Sequence, residues 1–86
     1  MPIKRMAERA PAGNPMGERL KRARHYRLLS IDELAKKARV SDWTISMIEQ
    51  GKVRPRRSTL EKLARALGCD ADWLEWGEGR APWDEG

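Results

Sequence analysis

One cysteine, one histidine and no apolar run of membrane-spanning length leave this 86-residue chain few chemistries to choose from. Cys69 alone forms no intrachain disulfide and no thiolate metal cage, and its place just past a helix end suits a small buried apolar residue. His25 has no second histidine, and no carboxylate at ligand spacing, so it reads as a partly exposed helix residue rather than a metal ligand. No hydrophobic stretch of the signal-peptide kind opens the chain, and a cytoplasmic protein is expected. The sequence offers no activated nucleophile, Gly-rich phosphate cradle or carboxylate pair in a pocket. Neither an enzyme nor a bound cofactor, metal or small-molecule substrate is expected. No strand pattern or internal repeat appears, and the length allows one small all-α domain.

What the chain has is positive charge, unevenly placed. Residues 1–67 hold 17 Lys and Arg against 7 Asp and Glu, a net of +10. Residues 68–86 hold Arg80 against 6 acids, a net of −5. A basic body with an acidic C-terminus suits a polyanion on one face and a different contact on another. Charge of this kind also keeps a small domain soluble, so it does not by itself decide the ligand.

The deciding stretch runs from Ile31 to Gln50. Ser30 and Glu33 have the spacing of a capping box, and Leu34, Ala35 and Ala38 then share one helical face. Val40 bridges a tight turn. Ser41 caps a second helix that buries Ile45 and Ile48, and Gly51 ends it where a left-handed residue is needed. Asp42, Trp43, Ser46, Met47 and Gln50 are thereby kept off the core. Two short helices joined in this way have the layout of a helix-turn-helix, in which the outward N-terminal half of the second helix enters the major groove of DNA.

Around this unit the pattern predicts three more helices. Asn14-Pro15 is a cap and first-turn pair opening a helix over about 15–27, with Met16, Leu20 and Ala23 inward and Leu28 and Leu29 at its end. Lys52-Val53-Arg54-Pro55-Arg56-Arg57 is a basic loop. Ser58 and Glu61 have the spacing of another capping box, for a helix carrying Leu60, Leu63, Ala64 and Leu67 up to Gly68. Asp70 is placed to cap a last short helix, Ala71 to Trp76, closed by Gly77. Residues 1–13 read as a flexible basic arm, 14–77 as the domain and 78–86 as an acidic tail in which Trp83 stands isolated.

The order of these motifs resembles the lambda-repressor-like fold, a compact bundle of five short helices. From Gly17 to Gly79 the chain is similar to the Cro/C1-type (XRE) helix-turn-helix family. The resemblance is carried by Leu29-Ser30-x-x-Glu33-Leu34-Ala35, Val40-Ser41-x-x-Thr44-Ile45-Ser46-x-Ile48-Glu49-x-Gly51-Lys52, Leu60-x-x-Leu63-Ala64-x-Ala66-Leu67-Gly68 and Asp72-Trp73-Leu74. Three departures stand out: Ile31 replaces a phosphate-binding Gln, Leu28 a helix-ending Gly, and Arg39 a Gly in the turn between the two helices.

The resemblance implies a DNA-binding transcriptional regulator, a repressor acting as a homodimer on a palindromic operator. It implies phosphate contacts from Ser41, Thr44, Lys52, Arg54, Arg56 and Arg57, and base contacts from Asp42, Trp43, Ser46 and Met47. Arg39, where the family has Gly, is expected to supply a phosphate anchor in place of the lost Gln. A carboxylate at Asp42 can accept from cytosine N4, and Trp43 and Met47 can pack on a thymine methyl. The same Asp42, Trp43 and Met47 face suits a protein partner, as in an antitoxin or accessory subunit. Arg24 and Glu49 are expected as an ion pair orienting the second helix of the motif. Trp73 belongs in the core, whereas Trp76, with Trp83, is expected at a dimer contact.

Overall fold

Caps and turn residues punctuate the chain at short intervals, and the helices between them follow. The computed structural model describes residues 14–84. It places α1 over Pro15–Tyr26, α2 over Ile31–Ala38, α3 over Asp42–Glu49, α4 over Arg57–Leu67 and α5 over Ala71–Trp76. Asn14 caps α1, its side chain accepting from the Gly17 N–H. The Ser30–Glu33 capping box of α2 is complete, with bonds of 3.0 and 2.8 Å. Ser41 caps α3 by accepting from the Thr44 N–H at 3.0 Å. The basic arm expected over residues 1–13 lies outside the described residues.

Helices of six to twelve residues are marginal alone, so their common core must hold them. Leu20, Leu34, Ile45, Ile48, Leu60, Leu63, Leu67 and Leu74 are fully buried, each contributing about 1.5–3 kcal/mol relative to exposure. Left-handed residues stand at the helix ends and turns marked in the sequence, Gly51, Gly68, Gly77, Leu28 and Arg39, and also at Gly79 in the segment read as tail. Gly17 answers a different need. A Cβ there would come 2.5 Å from the Ile48 carbonyl oxygen, because α1 starts directly against the end of α3.

Two caps differ from the sequence reading. Ser58 does not form its capping box with Glu61, because α4 begins two residues earlier than that cap implies, at Arg57, with Arg56 as an N-cap that makes no side-chain bond. Ser58 is already inside the helix, and Glu61 pairs with Arg57 at 3.6 Å. Asp70 occupies the N-cap of α5, but its side chain accepts from the Arg80 N–H at 2.8 Å rather than from the helix.

That bond belongs to a folded C-terminal segment. Residues 78–84, read as tail, turn back onto the helices with Ala81 and Pro82 buried. Arg27 holds the turn, donating to the carbonyls of Leu67 at 2.8 Å and Pro82 at 3.1 Å. Cys69 is buried beside it, and desolvation pushes its thiol pKa up to about 11, so the group stays neutral. No helix of the described residues is long and apolar enough to cross a membrane.

Candidate nucleic-acid interface

Ile45 and Ile48 face inward on α3, which turns the remaining residues of its first two turns outward. Asp42 and Trp43 are exposed, Trp43 by 62%, while Thr44, Ser46 and Met47 are half-buried around them. Asp42 has no ion-pair partner among the described residues. The hydroxyls of Ser41 and Thr44 lie 2.7 Å apart at the helix start, beside its first unpaired backbone N–H groups. Ser46 accepts from the Gln50 side-chain amide at 2.8 Å. Gln50 extends the outward row by a turn, although its sequence position alone assigned it no role.

The far end of α3 is anchored from α1. Arg24 and Glu49 form a two-pronged pair with N–O distances of 2.7 and 3.0 Å, and both side chains are almost wholly buried. A third guanidinium nitrogen bond goes to the Leu29 carbonyl at 3.0 Å. Asn14 adds a bond from its amide to the Glu49 carbonyl at 3.0 Å. The expected ion pair is therefore present, and Asn14 is a second tie that the sequence showed only as a cap.

The basic loop after α3 is arranged differently from expectation. Arg54 and Arg57, expected on phosphates, are turned to α5. Glu75 accepts from Arg54 at 3.0 Å and from Arg57 at 2.8 Å, and Asp72 accepts from Arg57 at 2.7 Å. Hydrogen bonds from Arg57 to the carboxylates of Asp72 and then Glu75 hold its pKa above the ordinary arginine value. The cause is the acidity of α5, which packs on α4 and presents its carboxylates to the loop. Lys52 and Arg56 are exposed and have no ion-pair partner among the described residues. Arg39 is exposed too, at φ 62° in the turn between α2 and α3.

The two tryptophans expected at a dimer contact separate. Trp76 is 59% exposed, with the Arg54 guanidinium 5.5 Å from its ring centre. Trp83 is engaged within the fold, its ring edge-on to Trp73 at 5.2 Å and to Tyr26 at 5.6 Å, with Arg22 stacked at 5.6 Å. The folding back of residues 78–84 carries it there. Trp73 is buried, as its place in the core requires.

An outward helix anchored at its rear, preceded by a capped helix and a left-handed turn, defines a helix-turn-helix domain of the lambda-repressor-like fold. The helix-turn-helix family model matches residues 20–74, and the chain belongs to that family, in its Cro/C1-type (XRE) branch. It is 43% identical over 61 residues to the HTH-type transcriptional regulator PrtR of Pseudomonas aeruginosa. That alignment covers 71% of this chain and 23% of the regulator's length. A structure of the P22 c2 repressor in complex with a synthetic operator matches with a TM-score of 0.69 and 33% identity, over 73% of this chain and 96% of the repressor chain. A chain of a SinR protein–SinI protein complex matches with a TM-score of 0.67 and 33% identity, over 69% of this chain and 58% of that one.

Proposed function

We propose that this chain is a sequence-specific regulator of transcription, a repressor that binds a palindromic double-stranded operator as a homodimer. The observation that carries the reading is α3, whose Asp42, Trp43, Ser46 and Met47 project from a helix fixed at its rear by Arg24–Glu49. That geometry suits insertion into the major groove, and the similar P22 c2 repressor is itself bound to an operator. Asp42 reads a cytosine, and Trp43 and Met47 face thymine methyls. Ser41, Thr44, Lys52, Arg56 and Arg39 meet phosphates along the groove edges. Arg54 and Arg57 reach phosphates only by exchanging Glu75 and Asp72 for them. Trp76 is the apolar residue that joins two copies.

A second reading has a specific support. Trp43 is a large apolar group exposed on the same face, and the similar chain of the SinR–SinI structure is in a complex of two proteins. Titrating the chain with a mixed-sequence duplex of about 20 base pairs, while following backbone amide resonances, separates the two. DNA binding shifts resonances from Arg39 to Lys52 at low salt, and the shifts fade as salt rises. Resonances that stay still at low salt, or that move only on α5, overturn the DNA reading and leave the protein-binding one.

A further inference from the structure

With Arg54 and Arg57 neutralised by α5, uncommitted positive charge of the described surface gathers elsewhere. An open cleft of about 530 Å³ lies between the C-terminal ends of α2 and α4. Lys37 and Arg39 line one side, Lys62 and Arg65 the other, and Ala38 and Ala66 the remainder. Lys62 and Arg65 are three residues apart and so share a face of α4. All four cations are exposed, and none has an ion-pair partner among the described residues. A helix C-terminus favours nearby cations by about 0.3–1 kcal/mol. That preference accounts for a cation at each helix end, but not for four around one opening.

The chemistry of the lining narrows the ligand. No aromatic or large aliphatic side chain is present to anchor a peptide, and no carboxylate is present to accept from a base. Two alanines leave room for close approach between flexible cationic arms. A thin ligand with repeated negative charge fits such a site, which is the description of a sugar-phosphate backbone. Arg39 also closes the turn two residues before Ser41, the cap of α3, so the cleft begins beside the start of that helix. We infer that the cleft is a second backbone site, which holds phosphates of duplex DNA flanking the bases under α3. The inference rests on the DNA reading above and extends the contact along the duplex.

The test compares the full chain with its Lys62→Ala/Arg65→Ala variant on a mixed-sequence duplex of about 40 base pairs. Binding is followed against salt, and hydroxyl-radical footprints are recorded. Each phosphate neutralised contributes about 0.9 to the log–log salt slope, so the variant's slope should be smaller by about 1.8. Its footprint should retract at the flanks. Lys62→Arg/Arg65→Lys should keep the wild-type slope, and Lys21→Ala/Lys36→Ala, which removes two cations outside the cleft, should change it far less. An unchanged slope and footprint in Lys62→Ala/Arg65→Ala overturns the inference. So does an equal loss in the Lys21→Ala/Lys36→Ala control, or a cleft that takes polyglutamate while the duplex slope is unaltered. Failure of the wild-type chain to bind any duplex at low salt strikes instead at the DNA reading itself.

Discussion

Leu28 stands just past α1 at φ 60° with 88% of its surface exposed, so it holds a left-handed conformation without packing to offset it. That conformation costs an L-residue about 1–2 kcal/mol, whereas glycine adopts it freely. Leu28→Gly should therefore raise stability by about 1 kcal/mol, visible as a melt shifted up by roughly 4–8 °C. A lowered melt would show that the leucine side chain makes contacts the exposed geometry does not contain. Leu28 and Arg39 were legible as left-handed positions because each stands where the family has glycine. Trp83 was not legible. An isolated aromatic in a glycine-rich, acidic stretch has no period, and its partners Tyr26 and Trp73 come from α1 and α5. Gln50 and Asn14 were visible as residues, but their bonds to Ser46 and to the Glu49 carbonyl depend on how the elements meet.

Among elements, α3 depends most on a single tie. The Arg24–Glu49 pair is buried with all of its strong bonds inside the protein, so removing one partner strands the other charge. Breaking a buried pair costs about 3–5 kcal/mol, whereas replacing both partners with apolar groups is often neutral. Arg24→Met should cost stability in that range in urea unfolding, and Arg24→Met/Glu49→Met should recover most of it. A double variant as unstable as the single would make the pair a net stabiliser rather than an orienting device. The bounds of α2 and α3 were legible to within a residue because Ser30, Glu33 and Ser41 act on N–H groups a few residues away. The start of α4 was shifted because Arg57 answers to Asp72 and Glu75 on α5, a contact that no local pattern contains. The same ion cluster engages Arg54 and Arg57, two of the residues expected on phosphates, within the free chain.

At the scale of the molecule, the division of charge seen along the chain becomes an internal contact. Carboxylates of α5 neutralise part of the loop after α3, and the cations left uncommitted include Lys52, Arg56 and those of the cleft between α2 and α4. In the proposed function the outward face of α3 reads bases, and exposed Trp76 joins two copies whose half-sites then lie about one helical turn, roughly 34–36 Å, apart. Selecting bound sequences from a random duplex pool with the full chain tests this account most directly. It predicts a two-fold symmetric pair of half-sites at that spacing. Asp42→Asn should change the preference at one base pair in each half, by about 1–3 kcal/mol. Trp76→Ala should still enrich the single half-site while losing the fixed spacing. A pool that emerges without any enriched sequence, or one whose preference is indifferent to Asp42, Trp43, Ser46 and Met47, would contradict the claim that α3 reads DNA.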